Sequence, residues 1–138
     1  RRKAQIIVMG DFNDYPHSRL IQETLQADTP PLSPTRPDEH KLYHLLARKA
    51  TATKQKGTYK YQGVWQWLDH ILVSGYLLRK DATLRTAERQ ADVFSPPFLL
   101  TDDPKYGGMQ PLRTYYGMKY QGGYSDHLPV YAEFTLVY

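Results

Sequence analysis

The chain has 138 residues, no cysteine and a formal net charge of +4, with 41% hydrophobic and 23% charged residues. This length suits one domain, and the absence of cysteine excludes disulfides and thiolate metal sites. No apolar run approaches the roughly 18 residues of a membrane-spanning helix, and the mild basic excess permits an anionic partner such as a phosphate compound or nucleic acid.

The first predicted element is a buried strand over residues 5–9, "QIIVM", which runs into Gly10. Its basis is an unbroken, largely β-branched apolar run that ends at a glycine. Residues 18–27 then place four side chains on one helical face, which predicts an amphipathic helix. These side chains are Leu20, Ile21, Thr24 and Leu25.

The middle of the chain predicts a loop, a short helix and a hairpin. Residues 28–39 are rich in proline and indicate a loop, and residues 40–50 bring leucines together on one face of a short helix. On such a helix His40 and His44 would be one turn apart, and we interpret them as part of a solvated face rather than as a metal site. Residues 58–74, with Gln62-Gly63 between two apolar runs, predict a β-hairpin.

The last third of the chain is harder to assign. Residues 77–90 fit a strand or a helix, and residues 92–127 are rich in Gly, Pro and Tyr. A loop of that length in a compact domain is usually functional or disordered. Residues 128–138 predict a closing strand, and the mixture of strands and helices indicates an α/β or α+β class.

Five polar residues stand at or near the predicted strands: Asp11, Asn13, Asp69, Asp126 and His127. In a strand, Asp11 and Asn13 would share a face. Asp69 lies inside "WLDHI", where a carboxylate is costly to bury without a partner, so we expect a hydrogen bond between Asp69 and His127. Each residue also has a plain structural interpretation: a turn residue for Asp11, Asn13 or Asp126, an edge-strand charge for Asp69, and a satisfied core histidine for His127.

Together these residue types suit metal-assisted attack on a phosphate. Mg²⁺ prefers oxygen ligands and needs only one or two protein carboxylates, because water and substrate phosphate fill the remaining positions. A histidine held by a carboxylate can carry a proton. An asparagine amide can donate to the attacking water or to a phosphoryl oxygen.

Three segments, "GDFN" (10–13), "WLDHI" (67–71) and "SDHLPV" (125–130), resemble in this order the signature of the endonuclease/exonuclease/phosphatase superfamily. The resemblance spans residues 6–134. The superfamily includes DNase I-like nucleases, sphingomyelinases and inositol polyphosphate phosphatases. The sequences around "TYKY" and "GGYSDH" look like those of a bacterial subgroup of this superfamily. The resemblance implies a hydrolase of phosphodiesters or phosphomonoesters that depends on Mg²⁺, with Mn²⁺ as an alternative.

The resemblance also implies a role for each of the five residues. Asp11 would orient or deprotonate the attacking water, and Asn13 would hold that water or the transition-state phosphate. Asp69 would fix the ring of His127, which would hydrogen-bond the scissile phosphate. Asp126 would be a metal ligand. Whether Asp11 or His127 is the base stays open at this point.

The family's domain is longer than this chain, and its N-terminal half, which supplies a metal-binding glutamate, has no counterpart before the "GDFN" strand. We therefore expect residues 1–138 to be a single unit, the C-terminal half of a four-layer α/β/β/α sandwich with a mainly antiparallel sheet. Residue 1 would then be a cleavage or truncation boundary. The missing half, or a second copy of the chain, would cover an exposed apolar sheet face.

The expected function has an alternative. By itself the half domain would be essentially inactive, and it could be a non-catalytic fragment or interaction module with an incomplete active site. The expected partner of the active protein is a phosphate-ester substrate, with nucleic acid as one option. We expect no membrane-spanning segment. Arg113, beside the tyrosine-rich loop, is a further candidate for contact with substrate phosphate.

Overall fold

The computed structural model describes residues 3–53 and 56–138, so the expected boundary at Arg1 lies outside the described residues. One α-helix, α1, and fourteen short strands, β1 to β14, are present in these ranges. The strands are Ile7–Asp11, Ala27–Asp28, Leu42–His44, Tyr59–Tyr61, Val64–Gln66, Asp69–Ser74, Leu84–Arg85, Ala91–Val93, Leu100–Asp102, Met109–Pro111, Tyr115–Tyr116, Lys119–Tyr120, Val130–Ala132 and Thr135–Leu136. The helix α1 is Ala47–Ala52, and shorter helical turns cover Leu20–Thr24, Gly75–Leu78, Glu88–Gln90 and Pro97–Leu99.

The largest sheet has four strands in the order β1-β6-β3-β2. Strand β6 is central and pairs antiparallel with both β1 and β3. Its residues from His70 to Ser74 are all buried, as expected for an apolar β-branched run covered on both faces. The remaining strands form two-stranded antiparallel ribbons, so the protein is a mixed α/β structure with mostly antiparallel sheets and few helices. The four-layer arrangement stays a prediction.

Strand β1 lies at the edge of this sheet, and the prediction that it is buried is wrong. Ile7 is 45% exposed and Met9 is 58% exposed. The apolar run correctly predicted a strand, but such a run does not reveal whether a second layer covers it. Exposed apolar side chains of this kind are compatible with a covering partner, and the partner itself stays a prediction.

The main core lies between β6, α1 and the β8–β13 ribbon. Leu45, Trp67, Ile71, Val93 and Leu128 are buried together there. A smaller cluster packs the other side of β6. The segment that carries "SDHLPV" is therefore held to the core directly after its polar residues, through Leu128.

Tertiary pairing overrides the helical pattern of residues 40–50. Leu42–His44 forms strand β3 against β6, and the helix begins only at Ala47. Pairing with a buried central strand satisfies the backbone of β3, which outweighs a weak helical propensity. The expected helix over 18–27 shrinks to a single π-type turn, Leu20–Thr24, in which only Ile21 is buried.

The β-hairpin prediction is confirmed over its first part. Strands β4 and β5 pair through the turn Gln62-Gly63, in which both residues have positive φ, as a two-residue type I′ hairpin turn requires. The predicted second strand is interrupted at Trp67 and Leu68 before β6 begins. The segment 92–127, expected to be one long loop, instead holds the strands β8 to β12.

Candidate functional site

Two carboxylates of the candidate site are placed by the pairing of β1 with β6. β1 and β6 pair antiparallel, and the last pair of residues in that register is Asp11 and Asp69. Directly opposite residues in an antiparallel pair point to the same face with their Cβ atoms about 5 Å apart. The sheet thus places two carboxylates side by side, one from each end of the chain's first half.

The third member is His127, from the segment before β13. Its Nδ1 lies 2.7 Å from Oδ2 of Asp69, which confirms the hydrogen bond expected from the sequence. Since an ionised carboxylate only accepts, Nδ1 carries the hydrogen and Nε2 is left for another partner. Tyr59 stacks on the imidazole with ring centroids 4.8 Å apart, so the ring is held both at its edge and at its face.

Thr58 ties the two sides of this pair together. Its hydroxyl accepts hydrogen bonds from the backbone N–H groups of Leu68 (3.1 Å) and Asp69 (3.3 Å). Its carbonyl accepts the N–H of Leu128 at 2.7 Å. One fully buried residue therefore positions both the start of β6, which carries Asp69, and the residue that follows His127. The sequence analysis missed Thr58, because neither the burial nor the contacts of this threonine can be read from the chain around it.

Asn13 does not share a strand face with Asp11, contrary to the sequence-based prediction. Strand β1 ends at Asp11, and Asn13 adopts the left-handed conformation, with φ of 51°. Its backbone N–H donates to Oδ1 of Asp11 at 2.7 Å, a local turn that asparagine and aspartate favour. The turn is therefore at Asn13. Gly10, at which the predicted strand ends, is still within β1 opposite His70, with φ of +149°.

A buried pair of histidines supports the turn at Asn13 through hydrogen bonds. His44 Nε2 and His70 Nδ1 lie 2.7 Å apart, and His70 Nε2 lies 2.7 Å from the carbonyl oxygen of Asp14. The N–H of Leu46 donates to His44 Nδ1 at 3.0 Å. Each ring therefore accepts at Nδ1 and donates at Nε2, which makes a directed chain of hydrogen bonds from β3 through β6 to the residue after Asn13.

Both rings of this pair are neutral. Burial, together with a smaller contribution from His70 beside it, lowers the pKa of His44 from 6.5 to about 3. Burial also lowers the pKa of His70, although the carbonyl of Asp14 and nearby carboxylates oppose this effect. The interpretation of His44 as part of a solvated helix face is therefore wrong, because the residue is on a strand and 1% exposed. His70 follows Asp69 directly in β6, so its side chain lies on the opposite face of the strand.

The donor set of the site fits a divalent cation. One ligand atom from each of Asp11, Asp69 and His127 lies within 4.8 Å of the other two. Among residues 3–53 and 56–138, no lysine or arginine forms an ion pair with Asp11 or Asp69, and His127 is the one ionic partner of Asp69. Two adjacent carboxylates without a permanent positive charge favour the binding of a cation between or beside them.

Two sequence-predicted site residues stand apart from this cluster. Asp126 is exposed and does not belong to the group of three. Its side chain makes no hydrogen bond to the part of the chain that the structure describes. Arg113 lies over the ring of Tyr116, 5.5 Å from its centroid, and lines a cavity that Tyr59 also lines. Tyr59 thus connects Arg113's cavity with His127.

Comparison with known proteins gives a family match. The sequence profile described as the Endonuclease/Exonuclease/phosphatase family matches residues 1–135. A search of curated proteins found no match, and a search of solved structures found none either. Within the described residues, no helix has the length and apolar character to cross a membrane.

Proposed function

Because the chain belongs to the endonuclease/exonuclease/phosphatase family, we propose that it is a metal-dependent phosphoesterase whose site is built on Asp11, Asn13, Asp69, Asp126 and His127. The observation that supports this proposal best is the convergence of Asp11, Asp69 and His127, with the Asp69–His127 hydrogen bond at 2.7 Å. That set contains a positioned imidazole and carboxylates able to hold a hard cation.

The proposed cation is Mg²⁺, with Mn²⁺ as the alternative, held by Asp11 beside Asp69, with Asp126 as the ligand that the family resemblance implies. When bound, such a cation polarises a phosphoryl oxygen and offsets the charge that develops during attack. Asp11 has one carboxylate oxygen engaged by the N–H of Asn13. Its second oxygen therefore remains for a cation or for the attacking water.

In the proposed reaction a water oxygen forms a bond to phosphorus while the bond from phosphorus to the leaving oxygen breaks. The proton of the water passes to a base, and the leaving oxygen takes up a proton. His127 presents Nε2 to the phosphate, because Asp69 holds Nδ1. Asp69 keeps the ring in this tautomer and in this orientation. Asp11 and His127 are the two candidates for the base.

Hydrolysis of two small substrates tests the proposal. The full-length protein is assayed with bis(p-nitrophenyl) phosphate and p-nitrophenyl phosphate in Mg²⁺, in Mn²⁺ and in EDTA, which separates diester from monoester activity. His127→Ala should lower kcat at least about 100-fold, the usual contribution of a positioned acid or base. His40→Ala is the matched control, since His40 is exposed and its ring makes no contact with the cluster.

The second candidate function is a non-catalytic interaction module with an incomplete site. The position of Asp126 outside the three-residue cluster favours it, since a cation would then lack one of its expected carboxylates. The same assay decides between the two. Metal-independent absence of hydrolysis of both esters, in a protein that is folded by circular dichroism, would support the module and contradict the enzyme.

A further inference from the structure

A cavity of about 660 Å³ adjoins the candidate site. We call it the basic cavity and define it by six of its lining residues: Tyr61, Lys105, Tyr106, Arg113, Tyr116 and Lys119. Its connection to the site is Tyr59, which lines the cavity and stacks on His127. A substrate whose phosphate lies at His127 would reach the basic cavity past Tyr59.

The floor of the basic cavity is electrically balanced. Lys60 and Asp103 are both more than nine-tenths buried and form an ion pair at 2.8 Å. Lys60 also donates to the carbonyl of Gly107 at 2.7 Å. The pair fixes the floor to the β4–β5 hairpin and uses up both charges, so the floor contributes no net charge to a ligand.

The walls, in contrast, carry three cations without a counter-charge. No carboxylate within residues 3–53 and 56–138 forms an ion pair with Lys105, Arg113 or Lys119. Lys105 lies 5.0 Å from the ring centroid of Tyr106, and Arg113 lies 5.5 Å from that of Tyr116. The cavity therefore has a surplus of three positive charges, which favours an anionic ligand with more than one charge.

The aromatic rings of the walls are open to solvent. Tyr116 is 68% exposed, Tyr61 is 53% exposed and Tyr106 is 47% exposed. Exposed rings that alternate with basic side chains match a ligand in which planar groups alternate with anionic ones. Single-stranded nucleic acid has this pattern, because bases stack on aromatic faces while phosphates contact lysine and arginine. A lipid headgroup or an inositol phosphate would use the cations but would leave the rings without stacking partners.

We propose that the basic cavity is the binding subsite for the single-stranded nucleic acid that flanks the scissile phosphate. This inference rests on the proposed function, because it places the reacting phosphate at His127. Arg113 and Lys119 contact backbone phosphates, and Tyr116 stacks on a base. The volume lies within the range of about 300–1,000 Å³ that is usual for ligand sites.

Binding is tested on the full-length protein in EDTA, which separates binding from hydrolysis. The probe is a fluorescent single-stranded oligothymidylate of roughly 12 nucleotides, within the usual site size, and anisotropy gives its Kd over a series of salt concentrations. Tyr116→Ala should raise Kd about tenfold. The double variant Arg113→Gln/Lys119→Gln should reduce the slope of log K against log salt by about 1.4, since each cation contributes about 0.7 on single strands.

Matched controls separate the subsite from general charge and aromatic content. Tyr138→Ala removes an exposed tyrosine, and Lys80→Gln/Arg89→Gln removes two exposed cations, in each case away from the basic cavity. Both controls should retain the wild-type Kd within about twofold. We expect Tyr116→Ala to weaken binding without a change in the slope of log K against log salt. We expect Arg113→Gln/Lys119→Gln to reduce that slope.

Three outcomes would overturn the inference: no binding of the oligonucleotide by the wild type, equal losses in the cavity and control variants, or selective binding to phosphatidylserine vesicles instead. A kinetic arm separates this failure from failure of the proposed function. The Tyr116→Ala variant should lower the ratio of kcat/KM for an oligonucleotide to that for bis(p-nitrophenyl) phosphate. If the wild type hydrolyses neither substrate, the proposed function fails, while the anisotropy result still decides on the subsite.

Discussion

Asp11 and Asp69 lie directly opposite each other in the antiparallel pair of β1 and β6. Like charges in that position destabilise a sheet by roughly 0.2–1 kcal/mol. Two of the three groups in the candidate site are therefore held together at a cost to the fold. This is a common feature of sites that bind cations, because the ligand offsets the repulsion.

This relationship predicts that Asp11→Asn stabilises the metal-free protein while it abolishes hydrolysis. Removal of one of the two charges should raise the free energy of unfolding by up to about 1 kcal/mol. Thermal unfolding in EDTA measures this stabilisation. Thermal unfolding in Mg²⁺ shows whether the variant has also lost the stabilisation that the bound cation gives the wild type. Asp102→Asn, at an exposed carboxylate outside the site, is the control and should change neither quantity. A metal-free variant that is less stable than the wild type would contradict the repulsion.

Asp69 and His127 should behave as one unit in kinetics. Asp69→Asn replaces the carboxylate that accepts from Nδ1 of His127 with a neutral amide, which accepts more weakly and can favour the other tautomer, so kcat should fall about 100-fold or more. The double variant Asp69→Asn/His127→Ala should be little worse than His127→Ala alone, because groups that act through each other are not additive. Initial rates with bis(p-nitrophenyl) phosphate give the double-mutant cycle. Multiplicative losses would mean that the two residues act independently.

Thr58 should matter through its hydroxyl rather than through its volume. Thr58→Val keeps the shape but leaves the N–H groups of Leu68 and Asp69 without an acceptor, at an expected cost of about 1–3 kcal/mol. Thr58→Ser retains the hydroxyl and should restore kcat and most of the stability. Urea unfolding and kcat are measured on both variants. A serine variant as impaired as the valine variant would assign the role of Thr58 to packing instead.

The buried His44 predicts an acid-sensitive fold. Its folded pKa is about 3, whereas the unfolded value is near 6.5, so the unfolded chain binds the additional proton between these values. The stabilising contribution is complete above pH 6.5 and is lost as the pH falls toward 3, by at most about 1.4 kcal/mol for each pH unit.

Urea unfolding between pH 7 and pH 4 checks this prediction. His44→Gln should be less stable at pH 7 but should show a flatter pH dependence than the wild type, whereas the exposed His40→Gln should follow the wild type. Parallel curves for the wild type and His44→Gln would show that His44 does not titrate differently in the two states.

The sequence alone identified the family, which the match over residues 1–135 confirms, and it named the three residues that the structure brings together. The three segments that carry Asp11, Asp69 and His127 are short and local, and an apolar run around Asp69 is enough to predict that its carboxylate needs a partner. The first strand and the Gln62-Gly63 hairpin were also readable, since both depend on residues that are neighbours in the chain.

Only the tertiary structure decided how these pieces meet. The conversion of Leu42–His44 into a strand and the burial of His44 depend on pairing with β6, which lies far along the chain. The exposure of β1 depends on which layers cover the sheet, which is equally a matter of tertiary structure. Local patterns cannot report such pairing, because strand propensity expresses packing against neighbours that the sequence does not name. The same holds for the hydrogen bonds of Thr58 and for the position of Asp126 outside the three-residue cluster. Both follow from how the strands pair in three dimensions rather than from spacing along the chain.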